Sequence, residues 1–345
     1  MRNIALILLF SLNAVAVTNR TVTVKSSGGD YTSLSAAIAG EAGDLVSLDR
    51  QLTIECYAMA DTTAIRIDNT AWTTDATRYI LITVPSTERH AGFYSTSKYR
   101  LEVANDNALE LDYGEYVTLE GLQVYSTGNY ATLSLGTGTA AASNITIRQC
   151  IIRGSSSITY KGPLYITGSG SALANTYVYN NLIYGTYTLS GIGRCIQFDT
   201  VGNYYIYNNT LASCGTGMYR NNGTVVAKNN LVSVTTQLGY GTFAAGTDYN
   251  RTNVSTLGYS VTGGGNTHDA ASRTFTFVNS GSSDYHLQES DVGAKDQGVS
   301  DPGSGLFSSD IDGETRFGTW DVGADEYPSA SRRRNAIVAW ARKSQ

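Results

Sequence analysis

Three stretches of this chain repeat one phrase, and that repeat restricts the possible fold more than any other feature. The phrase reads TYVYNNLIYG at 176–185, YYIYNNTLAS at 204–213 and VVAKNNLVSV at 225–234. Each copy passes from an apolar or aromatic run through Asn-Asn into a second short β-prone run. Counted from the second asparagine, Asn181 to Asn209 is 28 residues and Asn209 to Asn230 is 21. Two looser copies come earlier. NITIRQCIIRG at 144–154 puts Cys150 at the mark, and YVTLEGLQVY at 116–125 puts Gly121 there. A strand pattern that persists while its loops change length describes a stacked solenoid of strands. The paired asparagines then read as an internal ladder, because amides at equivalent turns can bond from rung to rung and tolerate left-handed backbone.

A solenoid grows along its axis, so 345 residues can form one domain without a thick core. Charged residues make up only 15 %, against roughly 25 % in an average soluble domain. Glycine (36) and tyrosine (24) are abundant and proline (4) is scarce, which marks a β-rich, turn-rich chain. The net charge of −5 hides an asymmetry: Arg332, Arg333, Arg334, Arg342 and Lys343 leave −10 on the remainder. An acidic body repels phosphate, so nucleic acid is excluded as a partner. The four cysteines show no metal-binding spacing. Cys56 and Cys150 stand apart, with Cys150 read as a small buried residue. Cys195 and Cys214 are 19 residues apart, about one short rung, so they can stack and close a disulfide if the protein is exported.

Residues 1–16 read as a signal peptide, with Arg2, an apolar run and a small-x-small site ending at Ala16; no other segment approaches membrane-spanning length. Secretion, to the exterior or cell surface, is therefore expected. A strand at 21–25, a Gly-Gly-Asp turn and a short helix at 31–39 follow. This opening resembles that of right-handed parallel β-helix proteins, including pectin methylesterases. At the other end come FTFVN at 275–279, DYHLQ at 284–288, DIDGETRF at 310–317 and WDVGADEY at 320–327. That series is similar to the C-terminal segment of a large group of bacterial and phage β-helix proteins of the pectate-lyase-like superfamily. It departs from their pattern at Ser280, where they carry proline. The resemblance implies a right-handed parallel β-helix with a short N-terminal helical cap, and says little about function, since the fold hosts many activities. The expected organisation is a signal peptide at 1–16, the β-helix at 17–274, further rungs and an acidic cap at 275–328, and a basic tail helix at 329–345.

The enzymes of this fold cut polysaccharides in a groove, which requires clustered charge. Between 121 and 247 there are seven charged residues, and Asp199 is the one acid among them. Glycosidic hydrolysis by paired carboxylates cannot be assembled from one carboxylate. A lyase needs a base, for which Arg148, Arg194, Arg220 and Lys228 are the candidates, although isolated basic residues on a rung are ordinarily solvated. Asp310, Asp312 and Glu314 have oxygen ligands at calcium-friendly spacing; a turn tied by Arg316 salt bridges is the preferred reading, and no cofactor other than calcium is implied. Tyrosines are too many for the core, so Tyr177, Tyr179, Tyr184, Tyr205 and Tyr207 are candidates to stack on sugars or on another protein. The sequence thus favours a non-catalytic surface, adhesive or filament protein. Its partners would be glycans or further copies of itself docking through the tail. A secreted polysaccharide lyase and a virion structural or receptor-binding protein are the alternatives.

Overall fold

A computed structural model describes residues 17–68, 70–111, 116–128, 130–136, 144–155, 162–167, 173–185 and 193–328. The signal-peptide and tail-helix expectations lie outside these residues. Of the described residues 41 % are strand and 4 % helix, and the strands form three parallel eight-stranded sheets. From Arg50 to Phe243 each coil of chain contributes one strand to each sheet in turn. The first sheet runs from Thr18–Val24 to Thr224–Lys228, the second from Ala60–Asp61 to Arg251–Thr252, and the third from Ile65–Ile67 to Tyr259–Val261. The chain is a parallel β-helix solenoid.

Alternation of side chains explains the first sheet. In Asn144–Arg148 the isoleucines point in and the polar residues point out. Register then stacks like on like: Val22, Ile54, Ile82, Leu119, Ile147, Val178, Ile206 and Ala227 form one continuous interior column, and all are fully buried. Burying each large aliphatic chain contributes about 1.5–3 kcal/mol. In the second sheet the alternation of Arg100–Val103 is lost further along. Leu182–Gly185 and Thr210–Ala212 are buried at every position, the pattern of strands covered on both faces. The sequence carries this only in part: the run after Asn181 is apolar, whereas Thr210 and Ser233 interrupt the other two.

Between the first two strands of the first sheet the regular element is a helix, Leu34–Glu41, three residues later than expected. Ser33 caps it by accepting from the Ala36 amide at 3.1 Å, and Leu34, Ala37 and Ile38 enter the main core. The stretch expected to add further rungs does something else. After Tyr259–Val261, the last strand of the third sheet, Phe277–Asn279 and Asp284–Leu287 form an antiparallel pair. The chain then runs back along the flank of the solenoid. Its Tyr285, Ile311 and Ala324 pack on Ile151, Leu182, Tyr184 and Ala212, while Leu287, Ala294 and Val322 pack on Leu231. This strap supplies the outer cover that the apolar second sheet requires.

The Asn-Asn turns hold both parts together. The second asparagines form the expected ladder: Asn181, Asn209 and Asn230 each donate through Nδ2 to the Oδ1 of the next, at 3.0, 3.0 and 2.9 Å, ending on Asn250. Asn250 in turn donates to Asp269 Oδ1 at 3.2 Å, and Cys150 N–H donates to Asn181 Oδ1 at 2.9 Å. The first asparagines, Asn180, Asn208 and Asn229, take left-handed backbone with φ of 55, 47 and 56°. Their side chains point outward to the strap. Asn208 Nδ2 donates to the carbonyls of Asp321 and Gly323 at 2.9 and 3.1 Å, and Asn229 Nδ2 to Val299 O at 2.7 Å.

One register assignment changes. Glu120 pairs with Arg148, so Gly121 stands opposite Gln149, and both have positive φ, 69 and 52°. Gly121 is therefore the counterpart of the first asparagine, and Leu122 occupies the mark. Glycine there satisfies the backbone requirement without offering an amide, which is why the sequence alone misplaced it by one. Cys195 and Cys214 are joined, with Cα atoms 5.6 Å apart, while Cys56 and Cys150 are free and buried.

Candidate functional site

Register converts the outward residues of the first sheet into three rows that run along the solenoid. The row at the strand starts carries Tyr79, Tyr116, Asn144, Asn175 and Asn203; the middle row carries Thr118, Thr146, Tyr177 and Tyr205; the last carries Glu120, Arg148, Tyr179, Tyr207 and Lys228. Strands in one sheet stand about 4.8 Å apart, so equivalent side chains touch. Tyr177 and Tyr205 stack with ring centroids 5.0 Å apart and planes 14° from parallel. Asn175 donates to Asn144 at 3.3 Å, and Asn203 to Asn175 at 3.5 Å. Next to this pair lies a hollow of about 160 Å³ whose walls include Tyr79, Tyr116, Thr118, Asn144 and Thr146. The surface combines aromatic rings, amides and hydroxyls, with no formal charge in its first two rows.

The five candidate tyrosines divide sharply. Tyr177 and Tyr205 are half-buried and reach the surface. Tyr179 and Tyr207 are buried in the last row, where the strap lies over them: Phe307 stacks on Tyr179 at 4.7 Å, and Gly303 lies close to Tyr207. Tyr184 is buried on the second sheet against Tyr285. Burial raises the phenol pKa of all three, in Tyr207 to about 12.

The four candidate bases sit on two different faces. Arg148 donates to Glu120 Oε2 at 2.9 Å through Nε and to the Tyr179 hydroxyl at 3.3 Å. Arg89 also pairs with Glu120. Burial alone would push the Glu120 carboxyl up, but the two guanidinium groups outweigh it and hold the acid below its ordinary range. Lys228 ends the same row of the first sheet. Arg194 and Arg220 belong to the third sheet. The Arg194 guanidinium lies 3.4 Å above the Tyr219 ring, and Arg220 Nε donates to Gly223 O at 2.8 Å.

That third sheet carries a second aromatic row that the sequence reading missed. Tyr165, Gln197, Tyr219 and Tyr240 align across successive strands, and Tyr219 stacks on Tyr240 at 4.5 Å. Asp199 accepts from Gln197 at 2.5 Å and from Asn221 at 2.7 Å. A signal for this row existed: Tyr219 to Tyr240 is 21 residues, the step from Asn209 to Asn230, just as Asn175 to Asn203 repeats the 28 of Asn181 to Asn209.

The three calcium candidates separate. Asp310 is buried, and its carboxylate accepts the amides of Asp312, Glu314 and Glu326 at 3.0, 2.7 and 3.1 Å; burial lifts it to about 7 despite Arg316. Asp312 points instead to His286 Nε2 at 2.9 Å, and Glu314 is exposed. Arg316 is buried and bridges Glu326 at 3.0 Å and Asn180 Oδ1 at 3.0 Å, so it ties the strap to the solenoid as well as to itself. Among the described residues no helix is long and apolar enough to cross a membrane. No protein-family model matches the chain, and no curated protein matches it.

Proposed function

We propose that this chain is a non-catalytic extracellular β-helix protein that contacts polysaccharide along the open face of the first sheet. The observation that carries the reading is the Tyr177–Tyr205 stack beside the Asn144–Asn175–Asn203 row. Pyranose rings present C–H faces to aromatic side chains and hydroxyls to amides and threonines, and a charge-free surface suits a neutral glycan better than a polyuronate. The Cys195–Cys214 bond supports an oxidising compartment. The arrangement of acids supports a binding role over hydrolysis. On the third sheet Glu110 and Asp199 stand three strands apart, roughly 14 Å at the usual strand spacing, whereas glycosidase carboxylates stand about 5–9.5 Å apart. On the first sheet Glu120 is locked between Arg89 and Arg148.

Affinity electrophoresis against a panel of neutral and uronate polysaccharides tests this. Retardation by a neutral glycan is expected, with at least a tenfold loss in the Tyr177→Ala/Tyr205→Ala double variant at unchanged melting temperature. Retardation that survives this double substitution would remove the first sheet as the binding face. Unsaturated products accumulating from a uronate polymer, and vanishing in Arg194→Ala or Arg220→Ala, would replace binding with lyase chemistry on the third sheet.

A further inference from the structure

On the strap, away from both aromatic rows, one imidazole is surrounded by carboxylates. His286 Nδ1 lies 2.6 Å from Asp284 Oδ1, and its Nε2 lies 2.9 Å from Asp312 Oδ2. Asp325 completes the group: one ligand atom from each of His286, Asp312 and Asp325 lies within 4.8 Å of the others. We propose that His286, Asp312 and Asp325 bind a divalent transition-metal ion of the zinc type, with Asp284 orienting the histidine.

Four features carry the assignment. First, the donor set is one imidazole nitrogen and two carboxylates from three separate stretches, which suits zinc with its mixed nitrogen and oxygen ligands at about 2.0–2.2 Å. Second, the free side of the imidazole is already fixed. A metal-bound histidine characteristically donates its other N–H to a carboxylate, which sets the tautomer, and Asp284 occupies that place. Third, charge is unbalanced without a cation, since three carboxylates face a single imidazole. Asp325 is almost wholly buried and uses one oxygen, Oδ2, to accept the Leu287 amide at 2.7 Å.

Fourth, space is kept open at the nitrogen. Gly92 lies beneath it with φ of +68°, and a Cβ there would fall 2.2 Å from His286 Nε2 and 2.8 Å from Asp312 Oδ1. Gly92 is held by its own amide, which donates to His90 Nδ1 at 3.2 Å. A cavity of about 10 Å³ adjoins, bordered by Gly92, His286 and Asp325 on its polar side, about the volume one water requires. The cation would enter from the Asp312 side, where the group is exposed, and would displace the proton shared between Nε2 and Asp312. Its structural effect would be to join the Asp284–Leu287 strand, the turn at Asp312 and the end of the strap at one point.

The test uses untagged protein, stripped with chelator and then equilibrated with zinc chloride. One zinc per chain is expected after desalting, with a higher melting temperature than the stripped form. Retention should vanish in His286→Asn and in Asp325→Asn. Asp284→Asn should keep the site but weaken it about 10–100-fold, the usual cost of losing an orienting carboxylate. His268, which pairs with Asp248 on the surface, serves as the control: His268→Asn should retain the full zinc. X-ray absorption of the zinc-loaded wild type needs no variant and should show one imidazole with an oxygen shell. No zinc retained, retention unchanged in His286→Asn, retention lost in His268→Asn, or a spectrum without imidazole would each overturn the site.

Discussion

The two asparagines of each Asn-Asn pair are chemically identical and equally shielded from water, yet they hold different parts of the molecule together. The second of each pair points inward and bonds to its own counterpart one coil on. The first points outward and bonds chiefly to backbone of the strap, which has no repeat at all, with one bond between coils from Asn229 Nδ2 to Asn208 Oδ1 at 3.2 Å. The backbone decides which is which. A left-handed residue at the first position breaks the alternation of the strand, so Asn180 leaves on the outer side as Tyr179 does and Asn181 is the one that turns inward. One motif therefore stitches a repeating structure and anchors a non-repeating one, and the two functions can be separated by substitution.

Asn209→Leu should have the largest effect. Asn209 donates to Asn230 Oδ1 and Val178 O, and accepts from the amide and the Nδ2 of Asn181. Leaving those buried groups unpaired costs about 1–3 kcal/mol each, so a loss of roughly 3–5 kcal/mol in urea unfolding is expected. Asn208→Gly should cost less, about 1–3 kcal/mol, because glycine keeps the left-handed backbone and the bonds lost are those to Asp321 O and Gly323 O and the one accepted from Asn229 Nδ2. Hydrogen exchange should then accelerate in 299–326 while the strands of the first sheet stay protected. Equal acceleration in both would show that strap and solenoid are one unit, and the comparison would fail.

A pH series gives the finest discrimination. Burial, reinforced by Glu326, lifts Asp321 from its ordinary 3.8 to about 7. The folded strap then binds a proton that the unfolded chain has released, so this group's contribution is fully present below about pH 4 and is lost as pH rises through about 7. The slope is at most about 1.4 kcal/mol per pH unit. In Asp321→Asn the decline between pH 4 and 7 should flatten, as read by strap exchange at each pH. An unaltered slope would mean the titrating group lies elsewhere.

Much of this was legible in the chain because a solenoid writes its register into its spacing. The ladder at Asn181, Asn209 and Asn230, the parallel stacking and the neighbouring positions of Cys195 and Cys214 all follow from steps of 21 to 31 residues. The strap was not legible in this way. Its contacts join positions more than a hundred residues apart, such as Asn208 with Asp321 and Thr210 with Ala324, and no periodicity connects them. For the same reason Tyr179, Tyr184 and Tyr207 read as surface aromatics, since nothing local announces that a distant segment covers them. His286 escaped notice because its partners Asp284, Asp312 and Asp325 fall in three different parts of that segment.

A stack of coils with nearest-neighbour contacts can fray from either end, one coil at a time. Here the strap bonds to the turns at Gln149, Asn180, Asn208 and Asn229 together, so the coils that carry these turns cannot separate from one another without first shedding it. Because the strap follows the last rung in the chain, it emerges after the coils during synthesis. The coils must therefore persist for a time with an apolar flank bare, until the segment that fastens their middle turns to one another has been made.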